Sequence, residues 1–172
     1  AGAIIDWLKN SLQLIDNYKE LENILNNTDN NPGIVLVPAF TGLGAPHWSP
    51  NARASISGLT RDSNRNEIIL SSIQSISLQS LDLISALEND TSHLFNSSIK
   101  TLKVDGGVTE NEWFLQNLSD FCNLNIIKSY EKEATALGAA SLSALGSCEI
   151  NEMSEFNITS KENTMFFPKI KN

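Results

Sequence analysis

One stretch of the chain, LKVDGGVTENEWFLQNLSDF, has the residue types and spacing that can hold a nucleotide or another anion. Its first three residues alternate between apolar and polar, which predicts the end of a strand. Gly106 and Gly107 allow a tight turn and a close approach of the backbone to a bulky group. Thr109 and Glu112 have the spacing of a capping box, so a helix is predicted to begin near Thr109. This arrangement presents free backbone N–H groups to an anion, although an ordinary tight strand-to-helix connection would have the same pattern.

The elements before this stretch alternate between helix and strand. Helical spacing in AGAIIDWLKNSLQLI predicts a first helix that ends near Leu25, where NNTDNNPG interrupts the pattern. GIVLVPAF predicts a strand that ends at Pro38. The next segment, TGLGAPHWSPNARASISGLTRDS, is rich in Gly, Pro, Asn and Ser and predicts a long functional loop.

A long helix is then predicted over NRNEIILSSIQSISLQSLDLISALEN, with Asn64 and Glu67 as its capping box. Its apolar residues nearly encircle the helix, which predicts a position deep in the domain. They include Ile69, Ile73, Ile76, Leu83 and Leu87.

The elements after the glycine turn complete the alternation. A short strand is predicted at LNIIKSY, and KEATALGAASLSALGS predicts a helix whose small residues allow close packing. MFFPKI predicts an edge strand or a docking segment. The sequence therefore predicts an α/β fold.

Composition excludes several classes of function. At 172 residues the chain has the length of one domain. Its net charge of −8 argues against nucleic acid as a partner. The apolar runs are too short for a membrane span, and no secretion signal is present, so a cytoplasmic protein is expected. Cys122 and Cys148 are expected to be reduced thiols, and His47 and His93 are too few and too far apart for a zinc site.

Four segments together resemble the C-terminal domain of the FGGY carbohydrate kinases. They are AGAIIDWLKNSL, AFTGLGAPHWSPNARASISGLTR, LKVDGGVTENEWFLQNLSDF and EATALGAA, and they occur in the order and spacing of that family. The form FTGLGAPHWSPNAR is similar to the version found in its glycerol kinases. The resemblance implies one domain over residues 1–172, of the ribonuclease H-like fold of the actin-like ATPase superfamily, with a mixed sheet flanked by helices. Because the chain starts in mid-helix without Met, we expect it to be a piece of a larger protein.

The resemblance also implies an ATP-binding site. Gly107 matches a glycine whose backbone abuts the nucleotide, with Gly106 in the same turn, and Asn111 matches an asparagine at the adenosine end. Gly2 matches a second nucleotide-contacting glycine. The family's glutamine four residues later is Asp6 here, and a carboxylate accepts hydrogen bonds but does not donate them.

The implied activity belongs to the full-length protein: transfer of a phosphoryl group from ATP to glycerol, which makes sn-glycerol 3-phosphate. The catalytic Asp, the carboxylate associated with Mg²⁺ and the glycerol-contacting residues of the family all precede this segment. We therefore expect neither catalytic nor metal-binding residues in the chain, and no activity from it alone. Its expected partners are ATP or ADP, the N-terminal domain of the same polypeptide and, through that domain, glycerol. The full-length protein is expected to form a homo-oligomer.

Several alternatives remain at this point. The chain would also suit another FGGY sugar kinase, similar to xylulokinase, or a stand-alone nucleotide-binding or interaction module. The alternative role for Asn111 is that of an ordinary helix-start residue. Asp105 suits contact with the nucleotide or its Mg²⁺ as well as it suits holding the glycine turn. His47 suits loop architecture better than ligand binding. Arg53 and Arg61 have the chemistry to pair with phosphate, but a structural ion pair or carbonyl contact is the commoner role.

Overall fold

The computed structural model of the chain describes residues 2–29, 33–92, 98–130, 133–155 and 164–169; His93 lies outside these ranges. The described residues form five α-helices and five short strands. The helices are α1 (Gly2–Asp6), α2 (Tyr18–Asn27), α3 (Arg65–Thr91), α4 (Glu112–Cys122) and α5 (Ala134–Gly146). The strands are β1 (Val35–Val37), β2 (Ser55–Ser57), β3 (Thr101–Val104), β4 (Asn125–Lys128) and β5 (Thr164–Phe166).

The N-terminal helical pattern is divided into two helices. A π-helical turn, Trp7–Ser11, follows α1, and the chain then leaves the helical conformation. Asn17 starts α2, because its side chain accepts a hydrogen bond of 3.0 Å from the backbone N–H of Glu20. The prediction of one helix as far as Leu25 is therefore wrong.

The predicted loop before α3 contains a strand that the sequence did not reveal. β1 confirms the strand expected in GIVLVPAF, and β2 pairs with it in the antiparallel direction, with Leu36 opposite Ile56. Between the two strands, Leu43 and Ser49 exchange two backbone hydrogen bonds of 2.9 Å. These contacts give the glycine- and proline-rich segment a defined shape.

The capping box at the start of α3 is confirmed. Asn64 Oδ1 accepts from the backbone N–H of Glu67 at 3.2 Å, and Glu67 Oε2 accepts from the backbone N–H of Asn64 at 3.1 Å. Deep burial is concentrated in the N-terminal half of the helix, since Leu83 and Leu87 are 49% and 51% exposed and Ile84 is the one buried residue of the second half. At 27 residues α3 is about 40 Å long, whereas α4, which packs on it, is about 16 Å long. The second half therefore extends beyond its partner.

Among the described residues, α3 alone is long and apolar enough to cross a membrane by length and composition. However, 56% of its most apolar window is buried inside the domain. Such burial is typical of a core helix, and apolar residues along most of the circumference are what a core helix needs.

Strands β3, β4 and β5 form a mixed sheet in that order. β3 and β4 are parallel, with Leu102 opposite Ile126, and α4 is the crossover between them. β5 pairs antiparallel with the other edge of β4, which confirms the predicted edge strand. The buried face of α4 packs on α3 and completes one hydrophobic core. The side chains at its centre include Ile69, Leu70, Ile73, Leu115 and Ile126.

Helix α5 was predicted to pack closely through its small residues, and within the described residues it does not. Ser141 is its one buried side chain, and Leu142 is exposed. A Cβ added at Gly138 would have no heavy atom of another element within 4 Å. The helix packs against the short 3-10 turn Met153–Glu155 rather than against the core.

Candidate functional site

The glycine turn after β3 is closed by a buried threonine. Gly106 has φ 92° and ψ 172°, a conformation that is essentially restricted to glycine. A single 3-10 turn, Gly107–Glu110, follows it. Thr109 is buried, and its Oγ1 donates to the carbonyl oxygen of Gly106 at 2.7 Å. Thr109 therefore closes the turn and does not cap the helix.

Helix α4 begins at Glu112, with Asn111 as its N-cap. Asn111 Oδ1 accepts a hydrogen bond of 2.8 Å from the backbone N–H of Phe114. The capping box predicted from Thr109 and Glu112 is wrong, because the 3-10 turn delays the helix. The cap uses the carbonyl oxygen of the Asn111 amide, so the Nδ2 group of the same amide is the part suited to a ligand.

Gly107 differs from Gly106 in that its backbone conformation does not require a glycine. Its φ is not in the positive range, and a Cβ added there would have no heavy atom within 4 Å. A side chain at Gly107 would therefore project into open space, whereas any side chain at Gly106 would strain the backbone. Gly106 shapes the turn, and Gly107 leaves room beside it.

That room is part of a pocket of about 450 Å³. Its floor is apolar and consists of side chains that are otherwise buried in the core. Small flat ligands are typically held in such pockets, where a few polar groups at the rim fix their orientation. The floor residues are Ile5, Leu21, Leu25, Ile73 and Phe114.

The rim of the pocket comes from two elements. The glycine turn and the start of α4 contribute Gly107, Val108, Glu110 and Asn111. The first turns of α2 contribute three exposed side chains, which the sequence analysis missed. They are Tyr18, Lys19 and Glu22.

Helix α2 is held in place by a small polar network at its start. Arg65 Nε donates to the carbonyl oxygen of Leu14 at 2.7 Å, and its guanidinium also pairs with Glu20. The hydrogen bond from the backbone N–H of Asp16 and the pairing with Arg65 lower the pKa of Glu20. These contacts join the start of α2 to the start of α3 and so fix the α2 side of the pocket.

The structure brings together two of the five predicted site residues in the pocket lining, Gly107 and Asn111. Gly106 is adjacent and sets the turn. Gly2 and Asp6 are exposed on α1, outside the lining, although Ile5 of the same helix lies on the floor. The α2 residues gave no sequence signal, because the sequence was interpreted as one continuous helix.

A second pocket, of about 360 Å³, lies between the glycine- and proline-rich loop and α3. There His47 Nε2 lies 3.1 Å from Asp82 Oδ2, which ties the loop to the helix. Arg53 Nη1 donates to the backbone carbonyl oxygens of Pro50 and Ala52 at 3.0 and 2.7 Å. In this structure both side chains stabilise the loop, as the structural alternative predicted.

Sequence comparison decides the family. Residues 1–147 match the profile described as the FGGY family of carbohydrate kinases, C-terminal domain. The chain belongs to this family. The FGGY domain match covers the glycine turn, the pocket and α5, and leaves out β5.

Full-length relatives extend well beyond this FGGY domain. The chain is 39% identical over 170 residues to a glycerol kinase from Coxiella burnetii and 36% identical to one from Streptococcus pneumoniae. In both cases the match covers 99% of this chain but only 33% of the relative. The chain thus spans about one third of the length of these relatives.

Solved structures share the fold. A Plasmodium falciparum glycerol kinase with ADP is 33% identical, with a TM-score of 0.82 over 99% of this chain and 33% of that one. A gluconate kinase from Lactobacillus acidophilus has a TM-score of 0.78 at 21% identity over 98% of this chain and 34% of that one, a likeness of fold alone. The predicted α/β fold with a mixed sheet is confirmed, with β1 and β2 as a separate pair.

Proposed function

We propose that this chain is the nucleotide-side domain of an ATP-dependent glycerol kinase, which makes sn-glycerol 3-phosphate. One observation carries the proposal: Gly107 and Asn111, the residues predicted to meet the nucleotide, line the same apolar pocket. The 39% identity to a curated glycerol kinase supports glycerol as the acceptor. The Plasmodium falciparum glycerol kinase that shares the fold was solved with ADP, which supports a nucleotide as the ligand.

In this proposal the chain binds the nucleoside end of ATP and leaves the phosphates outside the pocket. The apolar floor suits a flat heteroaromatic base, and the Nδ2 group of Asn111 suits an acceptor on that base or its ribose. Gly2, Asp6 and Gly106 belong to the proposal as neighbouring residues, not as pocket walls. Phosphate binding, the catalytic Asp and the glycerol site are assigned to the part of the relatives that this chain does not span.

Mg²⁺ belongs to the proposal as the ion that accompanies ATP. Among the described residues, no group of three His, Cys, Asp or Glu side chains has the geometry to hold a metal ion. The described residues therefore do not fit a protein-held metal site, and this proposal assigns the ion to the nucleotide and to the part of the kinase that the chain does not span. The proposed cytoplasmic location rests on the sequence composition, and the proposed homo-oligomeric state of the full-length enzyme rests on the family resemblance.

The nucleotide part of the proposal is tested with two variants of one residue. Asn111→Asp keeps the helix cap but loses the amide donors, so the chain should remain as stable as the wild type and bind ADP about three- to tenfold more weakly. Asn111→Ala should bind equally weakly and also lose about 1 kcal/mol of stability with the cap. ADP titrations followed by ¹⁵N-resolved NMR, with a melting curve for each variant, measure both quantities. Unchanged ADP affinity in Asn111→Asp would assign Asn111 to the cap alone.

Whether this chain serves as the nucleotide-side domain of a glycerol kinase is tested by replacing the matching third of the Coxiella burnetii glycerol kinase with it. We expect ATP-dependent phosphorylation of glycerol, and none of xylulose or gluconate, in an assay that measures ADP release. Gly107→Val should raise the KM for ATP strongly and leave the KM for glycerol nearly unchanged. A folded chimera that fails to phosphorylate glycerol would overturn the assignment of this chain to a glycerol kinase.

A further inference from the structure

Three exposed side chains of α2 line the same pocket as Gly107 and Asn111, which belong to the glycine turn and the start of α4. Tyr18, Lys19 and Glu22 lie on the first turns of this helix and share the pocket with those two residues. Any base that enters the pocket therefore has α2 as one wall and the glycine turn as another. The side chains of α2 therefore contribute to the choice of the base that the pocket binds.

We propose that α2 selects the base, and that it favours a 6-aminopurine over a 6-oxopurine. The inference rests on the proposed function, since it takes the pocket to be the base site. The Glu22 carboxylate accepts a hydrogen bond from the exocyclic amino group. The Tyr18 ring covers one face of the base.

Of the two carboxylates on the rim, Glu22 is the one without an ion pair among the described residues. The other rim carboxylate, Glu110, has its Oε1 3.4 Å from the Nζ of Lys128, so its charge is already compensated. Within the described residues, Glu22 forms no ion pair. A carboxylate only accepts hydrogen bonds, so it suits an amino group and repels the carbonyl oxygen that a 6-oxopurine has at the same position.

Tyr18 has the exposure that a covering residue needs. Its side chain is 58% exposed, although it lies beside the apolar floor. A base between the ring and the floor would cover both, and stacking of a base on an aromatic ring tolerates any base because every base has a flat face. Tyr18 therefore contributes affinity, and Glu22 contributes selectivity.

The test uses the 172-residue chain and the probes adenosine and inosine, which differ at position 6 of the purine. Affinity is measured by saturation-transfer difference NMR, which detects millimolar binding, together with ¹⁵N shift titration. We expect wild-type chain to prefer adenosine about tenfold. Glu22→Gln should bring the ratio near one, because a glutamine amide donates to the inosine carbonyl as well as accepting from adenosine.

The two tyrosine variants separate stacking from selectivity. Tyr18→Ala should weaken both nucleosides alike, by roughly tenfold, and Tyr18→Phe should retain the affinity of the wild type. Asp90→Asn is the matched control for loss of a carboxylate. Asp90 lies on α3 about 25 Å along the helix from Ile73 on the pocket floor, so this variant should change neither affinity nor ratio.

Distinct results overturn the two proposals. The proposed function stands if the wild type prefers adenosine and Gly107→Val abolishes binding. If Glu22→Gln nevertheless keeps the tenfold ratio, α2 does not select the base. Equal affinity of the wild type for adenosine and inosine would also refute selection of the base by α2, but it would leave the proposed function intact. If neither nucleoside binds the wild type at millimolar concentration, the pocket is not a base site and both proposals fall.

Discussion

Helices α4 and α5 are both rich in apolar residues, yet the domain uses them in opposite ways. Phe114, Leu115 and Leu118 of α4 are buried against α3 and the sheet. In α5, Ser141 is the one buried side chain, and Leu142 is 62% exposed. Composition alone therefore does not decide burial: α4 packs on the core, whereas the partner of α5 in the described part of the chain is the short 3-10 turn Met153–Glu155.

Helices α4 and α5 also differ in what they contribute to the proposed site. Within the described residues, the pocket is lined by α1, α2, α3, the glycine turn and the start of α4. Helix α5 contributes nothing to the pocket lining. In the proposed kinase, its small-residue surface would suit close contact with the part that this chain does not span.

The largest expected difference between the two helices is in stability. Leu115 is completely buried, so Leu115→Ala should destabilise the chain by about 2–5 kcal/mol through lost burial and the cavity left behind. Leu142→Ala removes the same atoms from an exposed site and should change the free energy of unfolding by less than about 0.5 kcal/mol. Urea unfolding of both variants measures this. A loss of more than 1 kcal/mol in Leu142→Ala would reveal a partner for α5 within the chain.

The next difference concerns the two cysteines, one at the end of each helix. Cys122 ends α4, and burial raises its pKa to about 11. Cys148 follows α5 and is exposed. Since the thiolate is the reactive form, the raised pKa alone should slow the labelling of Cys122 by about a hundredfold relative to a thiol of ordinary pKa, and burial should slow it further. Labelling with a disulfide reagent at pH 8, with Cys148→Ser to isolate the slow thiol, measures the rate. Fast labelling of Cys122 in the folded chain would contradict the packing of α4.

The smallest difference is between two glycines. Gly106→Ala should destabilise the chain by about 1–3 kcal/mol, because its φ of 92° is costly for any residue with a Cβ. Gly138→Ala, in the interior of α5 with open space around it, should instead stabilise that helix by up to about 1 kcal/mol. Melting curves and helix content by circular dichroism measure both changes. Destabilisation by Gly138→Ala would show that α5 is closely packed.

Local sequence rules predicted the elements whose ends carry strong signals. The capping box of Asn64 and Glu67 gave the start of α3 correctly, and the paired glycines gave the turn after β3. Alternation of helix and strand gave the α/β fold. In each case the information lies within a few residues, where capping and turn chemistry act.

The same rules failed where a local choice depended on distant partners. Helical spacing continues from α1 into α2, but Asn17 and the contacts of Arg65 with Leu14 and Glu20 start a separate helix. The α2 side of the pocket was missed for the same reason. Burial of Leu83 and Leu87 was overestimated because periodicity does not reveal how far a packing partner extends.

Strand β5 has a protective consequence for the sheet as well as a structural one. Its backbone pairs with β4, and two further hydrogen bonds fasten the segment after it to α4: Gln116 Nε2 donates to the Phe167 carbonyl oxygen at 2.9 Å, and the Lys169 N–H donates to Asp120 Oδ1 at 2.7 Å. Without this strand, the N–H and C=O groups along β4 would become an open template for pairing with other chains. Proteolytic loss of β5 would therefore leave the pocket residues in place and make the domain prone to aggregation.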